Sequence, residues 1–250
     1  MALKAVFFDL GETLFNYGKA DVNELLLQAA RLTFDHLHRC TLDAEKLGDF
    51  RRYYRQTVWA IKWRFIWSNI THRDFNAQRL LGRQLRERQI QITPAQLEEL
   101  SWLWYKPLGD LVHLEPNLHR HLQRLEDMSL KLAIISNTFS PPAVLDRHLQ
   151  HFDLLRYFPV RLYSSITIYR KPHPRIYQSA LQSAGVEAHE SVMVGDRWRE
   201  DVLGAIRSGI KPVLKRAYTN KGKLVDGKIA VIDTLAELPD LIARWRENSK

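Results

Sequence analysis

The chain has 250 residues, 45% of them hydrophobic, with a formal net charge of +9. Its length suits one large domain or one domain carrying an insertion; no run approaches the roughly 18 apolar residues of a membrane-spanning helix, and no basic, apolar and small-residue leader pattern is read at its start. Cys40 is the only cysteine, which excludes an intramolecular disulfide and leads us to expect a cytoplasmic protein, while the positive charge points to an anionic contact such as a phosphorylated substrate, nucleic acid or a membrane surface.

The first predicted strand is AVFFDL (5–10), an apolar run that reaches Asp9, with Gly11 two residues further on. Residues 16–112 then show helical periods and no convincing strand. Asp21 with Glu24 is a capping-box signature ahead of VNELLLQAARL, and Thr93 with Gln96 is another ahead of LEELSWLWY. Between them, RRYYRQTVWAIKWRFIWSNITHR (51–73) contains no Asp or Glu. Trp59, Trp63 and Trp67 recur every fourth residue, on one helical face. That face is expected to be the apolar side of the helix, with Arg51, Arg52, Arg55, Lys62, Arg64 and Arg73 solvated behind it or drawing an anionic substrate into a cleft. Tryptophan beside arginine also suits base stacking. Nothing in the chain matches a nucleic-acid-binding module, however, so nucleic acid is not an expected partner. His36, His38 and His72 form no metal-ligand pattern.

Beyond this block the pattern changes. EPNLHRHLQRLEDM reads as a helix with Pro116 just inside its start. LKLAIIS (130–136) reads as a strand running into Ser136, Asn137 and Thr138. Lys171 precedes the helix HPRIYQSALQSAG, which has Pro174 near its start and Gly185 past its end. SVMVGD (191–196) is a strand ending in Gly195 and Asp196, and Asp201 follows in a helix closed by Gly209. PVLKR (212–216) and IAVID (229–233) are weaker strands. Strands alternating with helices predict an α/β, doubly wound parallel sheet, formed by residues 1–15 and 113–250, with 16–112 as a helical insertion.

In such a sheet, ligands bind beyond the carboxyl ends of the strands. Asp9, Ser136, Asn137, Lys171, Asp196 and Asp201 all fall at that edge. A carboxylate is a competent nucleophile toward phosphorus or an activated carbon. Three carboxylates together call for positive charge, which a hard divalent cation with oxygen ligands supplies. A lysine and a hydroxyl can hold a phosphoryl group as its charge shifts. Each residue alone has a plainer use, as turn cap, loop polar group or solvated lysine. Their order, each beside a strand, favours the shared site.

The motifs resemble those of the haloacid dehalogenase-like (HAD) hydrolase superfamily. FFDLGETL is similar to its first motif, LAIISNT to the second, RKPHPRIY to the third, and VMVGDRWREDVLGAIRSGI to the fourth. The resemblance implies a Rossmann-like core and assigns 16–112 to the position of a helical type-1 cap. It further implies a phosphatase acting on a small phosphorylated compound with Mg²⁺ as cofactor. Asp9 would be the nucleophile, Ser136 and the backbone of Asn137 would hold the phosphoryl oxygens, and Lys171 would neutralise charge. Asp9, the carbonyl of Gly11, Asp196 and Asp201 would hold the metal, and Thr13 would hold the turn.

Gly11 departs from the pattern, since family phosphatases carry an aspartate there that protonates the leaving group and then activates water. Loss of such a group costs about 10²–10⁴ in rate. Glu12 is adjacent, but a one-residue step turns a side chain elsewhere. Slow turnover, easily displaced leaving groups, a proton donor from the cap or the substrate, a phosphate-binding or interaction protein without turnover, and a 2-haloacid dehalogenase activity all remain open at this point. The metal-independent dehalogenase branch is disfavoured by the retained Asp196 and Asp201.

Overall fold

The computed structural model describes residues 3–225, 227 and 229–248. Met1 and Ala2, and with them part of the leader reading and the extreme start of the 1–15 segment, lie outside the described residues. So do residues 226, 228, 249 and 250 of the 113–250 segment. The chain opens with strand β1 (Ala5–Phe8) and then runs through four helices: α1 (Val22–Cys40), α2 (Phe50–Thr71), α3 (Ala77–Glu87) and α4 (Pro94–Gly109). Next come α5 (Leu118–Asp127), β2 (Lys131–Ser136), α6 (Pro142–His151), β3 (Val160–Tyr163), the single turn α7 (Ser164–Thr167), and α8 (Pro174–Ala184). β4 (Ser191–Gly195) leads through a π-helical turn (Trp198–Leu203) into α9 (Gly204–Arg207). β5 (Lys211–Lys215), β6 (Ala230–Ile232) and α10 (Leu238–Glu247) complete the order.

The six strands form one parallel sheet in the order β3-β2-β1-β4-β5-β6. The order reverses beside β1, between its neighbours β2 and β4. An α/β sheet opens a ligand crevice at such a switch point. Successive residues of β1 point to opposite sides, as the strand period requires. Val6 and Phe8 join the apolar layer of α5, α6 and α10, whereas Ala5 and Phe7 join that of α8 and α9. Burial on both faces explains why β1 reads as a continuous apolar run.

Helices α1 to α4 share a separate apolar cluster that includes Ala30, Leu37, Tyr53, Leu81 and Leu100. Local chemistry sets their ends. Asp21 accepts backbone N–H groups of Asn23 and Glu24, so it caps α1 without the reciprocal half of the expected box, and Glu24 instead accepts from Gln28. Thr93 and Gln96 form the complete box at α4. Pro174 is at the first turn of α8, and Gly185 closes it at φ +61°. Pro116 lies before α5 rather than inside it, because Asn117 in the left-handed region separates the two.

One expectation fails in α2. Trp59, Trp63 and Trp67 do not face the helical cluster; they are 66%, 49% and 51% exposed. The inward face belongs to Tyr53, Thr57, Val58, Ile61 and Ser68. The helix has two apolar sides, and the four-residue repeat of tryptophan marks the outer one. β3, α6 and α10 were not anticipated either. No helix among the described residues is long and apolar enough to cross a membrane.

Candidate active site

The site forms at the carboxyl ends of β1, β2 and β4. The Asp9 N–H donates to the Val194 carbonyl at 2.9 Å, so the aspartate leaves β1 still in register with β4. A tight turn follows, closed by Leu14 and Phe15 N–H groups on the Leu10 carbonyl at 3.0 and 2.8 Å. Glu12 adopts φ 55° within this turn. Its carboxylate accepts the N–H groups of Tyr17 (2.9 Å) and Gly18 (3.1 Å), which turns it away from catalysis and into holding the loop. Thr13, expected to hold the turn, is buried with no partner for its hydroxyl among the described residues.

Lys171 lies at the centre. It is 2% exposed, and its ammonium reaches Asp9 Oδ1 at 2.8 Å and Asp201 Oδ1 at 2.6 Å. Burial alone would disfavour that ammonium, but the carboxylates of Asp201 and Asp9 outweigh it and raise its pKa. The Asn137 amide orients the lysine loop from both sides: it accepts the Lys171 N–H at 2.7 Å and donates to the Lys171 carbonyl at 2.8 Å. The side chain of Asn137 is therefore a positioning group. Ser136 ends β2, is buried, and lines the cleft beside Asp9.

Asp196 and Asp201 come from β4 and the π-helical turn. Asp201 Oδ2 accepts the Arg197 N–H at 2.8 Å. Gly195 makes this packing possible, since a Cβ there would overlap Asp201 Cγ. Asp196 Oδ2 accepts from Thr219, and its carbonyl accepts from Asn220 at 2.9 Å. Asp196 Oδ1 is buried with no protein partner among the described residues.

Asp9, Asp196 and Asp201 each offer an oxygen within 4.8 Å of the others. Three carboxylates face the Lys171 ammonium and, at 3.5 Å from Asp196 Oδ2, the exposed Arg197 guanidinium, which still leaves excess negative charge in a buried place. Burial, reinforced by Asp9, pushes Asp196 up to about 7. Burial likewise raises Asp201, and the Lys171 ammonium opposes that shift. An orphaned carboxylate oxygen inside an all-oxygen cluster fits a hard divalent cation.

Gly11 sits in an isolated bridge with Phe15. A Cβ at this position would meet the Tyr17 ring at 3.3 Å. The aromatic ring stands where an acidic side chain would begin. Tyr17 Oη is 3.5 Å from Tyr105 Oη of α4, and Tyr105 Oη is 2.7 Å from His148 Nδ1 of α6. Burial pushes the Tyr17 hydroxyl well above its usual value and His148 down to about 4, so both groups stay neutral at pH 7.

Two adjoining spaces open here. A polar cleft of about 310 Å³ is lined by Asp9, Glu12, Ser136, Lys171 and Tyr218 among others. A cavity of about 300 Å³ runs from Gly11 and Ser136 under the helices, with Leu25, Leu26, Trp104 and Leu108 on its walls. Arg170 and Phe65 border both. The Arg170 guanidinium donates to Ser68 Oγ of α2 at 2.6 Å, so it ties the helical block to the site.

The structure brings Asp9, Gly11, Ser136, Asn137, Lys171, Asp196 and Asp201 together from four separate segments. Sequence reading missed Tyr17, Tyr105, Arg170, Thr219 and Asn220. Arg170 had a signal, as a second cation directly before Lys171. The other four lie in loops and helices whose local pattern carries no chemistry.

Comparison with known proteins gives likenesses of three kinds: to a family model, to a curated relative and to solved structures. A family model described as haloacid dehalogenase-like hydrolase matches residues 3–209. The glyceraldehyde 3-phosphate phosphatase of Pyrococcus abyssi is 26% identical over 212 residues, covering 84% of this chain and 80% of that protein. Among solved structures, a 2-haloacid dehalogenase from Pseudomonas syringae pv. Tomato DC3000 is 26% identical with a TM-score of 0.64, covering 97% of this chain and 99% of that one. A HAD phosphatase from Thermococcus onnurineus is 25% identical with a TM-score of 0.60, covering 96% and 98%.

Proposed function

Since this chain belongs to the haloacid dehalogenase-like hydrolase family, we propose that it is a Mg²⁺-dependent phosphohydrolase acting on a small phosphorylated compound. Residues 1–15 and 113–250 are the hydrolase core in this reading, and 16–112 are a cap over it. The observation that carries the proposal is the Lys171 ammonium held between Asp9 and Asp201, with Asp196 alongside.

Lys171 fixes Asp9 Oδ1, so the other carboxylate oxygen of Asp9 is offered for attack on phosphorus. An Asp9 O–P bond forms as the bond from phosphorus to the ester oxygen breaks, and the departing oxygen leaves as an anion that takes its proton from solvent water. Water then cleaves the aspartyl-phosphate, releasing phosphate and restoring the carboxylate. Ser136 donates to the phosphoryl oxygens, and Lys171 offsets their charge. Asp9, Asp196, Asp201 and the Gly11 carbonyl would hold Mg²⁺, which when bound offsets phosphoryl charge. Asp196 Oδ1, without a protein partner, supports that assignment.

Position 11 supplies no acid, so easily displaced leaving groups are favoured. The cavity beyond Ser136 has mainly apolar walls. An ester with hydrocarbon in its alcohol part suits those walls better than a polar triose phosphate, the type of compound named for the archaeal relatives.

The test is turnover of p-nitrophenyl phosphate and acetyl phosphate with and without Mg²⁺, beside an Asp9→Asn control. Metal-dependent release of phosphate that disappears in the control is the expected result. Chloride release from 2-chloropropionate would instead identify a dehalogenase. A second reading rests on Gly11 and the Tyr17 ring above it: a phosphate-binding protein with little turnover. Phosphate binding without hydrolysis of either compound would select it.

A further inference from the structure

We propose that the outer face of α2 docks on an anionic lipid surface. Trp59, Trp63, Ile66 and Ile70 follow one another at helical spacings of four, three and four, which puts them on one stripe. They are 66%, 49%, 50% and 68% exposed, and Trp67 flanks them. The opposite side of the same helix already packs into the helical cluster through Tyr53, Val58 and Ile61. A helix needs one apolar side to join a core; the second is surplus to folding and marks a contact.

Charge identifies the partner. Residues 51–73 contain no acid. Arg51, Arg52, Arg55, Lys62 and Arg73 are exposed, and among the described residues none is in an ion pair. A second copy of the chain seated on this stripe would set these cations against each other. A nucleic acid would satisfy them but would gain little from Ile66 and Ile70, which cannot stack. Trp59 and Trp63 are, moreover, already stacked on each other, with an interplanar angle of 1° and centroids 5.9 Å apart. A bilayer uses every part of the surface: indoles sit at the headgroup level, isoleucines enter the acyl boundary, and cations meet anionic headgroups. This is a helix lying on a membrane, not one that crosses it. The proposal does not depend on the hydrolase reading, because none of the four stripe residues borders the cleft or the cavity.

The experiment is co-sedimentation of the full chain with vesicles of phosphatidylcholine alone and of phosphatidylcholine mixed with phosphatidylserine, with tryptophan emission recorded alongside. Binding to the mixed vesicles with a blue shift, weakened by salt as a Debye-screened attraction is, is expected; binding to phosphatidylcholine alone is expected to be weaker by roughly tenfold or more. The W59Q/W63Q/I66Q/I70Q variant should lose vesicle binding by roughly tenfold or more while keeping its far-ultraviolet circular dichroism. Failure to bind anionic vesicles at low salt overturns the proposal. So does binding that the variant retains. Sedimentation velocity and titration with a single-stranded oligonucleotide complete the test. Self-association lost in the variant, or oligonucleotide binding that vesicles do not displace, would assign the stripe to another partner.

Discussion

The sheet edge and helix α2 both carry concentrated charge, and they handle it in opposite ways. At the edge, Lys171 is 2% exposed and lies between two carboxylates. On α2, exposed arginines stand in water beside exposed tryptophans. A buried charge must be matched by its neighbours, whereas a solvated one need not be. The edge is therefore a place where one atom lost is costly, and the outer face of α2 is a place where four side chains can change with little effect on stability or turnover. Substitutions that blur this contrast would break it.

The largest effect is expected from Lys171→Met. The variant leaves Asp9, Asp196 and Asp201 facing one another without an ammonium. Breaking a buried pair in this way costs about 3–5 kcal/mol. Turnover of p-nitrophenyl phosphate should fall by about 10³-fold or more through loss of charge stabilisation. Urea denaturation measures the first and initial rates the second. A variant as stable and active as the parent would show that the edge tolerates imbalance after all, and the comparison with α2 would fail.

Next comes Gly11→Asp. Restoring an acid should raise turnover of poor leaving groups by up to about 10²-fold, and of good ones much less. The Tyr17 ring, 3.3 Å from the new Cβ, opposes the gain. Gly11→Asp combined with Tyr17→Ala should therefore outperform Gly11→Asp alone. A Brønsted series of aryl phosphates separates the cases through its slope. An equal effect on all leaving groups would remove the missing acid as the rate-limiting deficit.

The same contrast explains what could be read from the sequence. A shared polar site at the edge needs particular residue types beside particular strands, so Asp9, Ser136, Lys171 and Asp196 stand out, and burial on both faces makes β1, β2 and β4 legible as apolar runs. Thr219 and Asn220 did not stand out, because they reach Asp196 from a loop after β5 and only the folded chain brings them there. β3 was missed for a related reason. Val160–Tyr163 is an edge strand, half-buried over most of its length, and its VRLY pattern is short and mixed. On α2 the tryptophan repeat was visible, but period alone cannot tell an inward face from an outward one. Direction there was decided by Tyr53, Val58 and Ile61, which supply a competing apolar side.

Gly204→Ala probes how tightly the edge is packed from behind. Its Cβ would overlap the Tyr177 hydroxyl, which donates to the Glu200 carbonyl in the turn that carries Asp201. Overpacking of this kind costs about 1–3 kcal/mol. Denaturation midpoints should fall accordingly, and relief by the pair Gly204→Ala with Tyr177→Phe would locate the clash. For comparison, exposed substitutions on α2 such as Trp59→Gln should stay within about 0.5 kcal/mol.

A smaller effect than overpacking is expected at the seam between the helical block and the sheet, where the two regimes of charge meet. His148 is buried against Tyr105, and burial lowers its pKa to about 4, with His151 adding to the effect. In the unfolded chain the ring titrates near its ordinary value of about 6.5. Between these values the unfolded state takes up a proton that the folded state refuses, so stability falls as pH drops from about 6.5 to about 4 and is constant above. The ring borders a surface cleft with Asp110 nearby, and solvent screening reduces its contribution to about 1 kcal/mol. His148→Gln, which keeps a polar side chain toward Tyr105 without the titration, should flatten that part of the stability profile. The difference between parent and variant, followed by urea denaturation from pH 7 to pH 4, isolates His148 from the carboxylates that titrate in the same range. A difference that stays constant with pH would mean that the folded seam takes up the same proton as the unfolded chain, and the neutral chain from His148 through Tyr105 to Tyr17 would have to be abandoned.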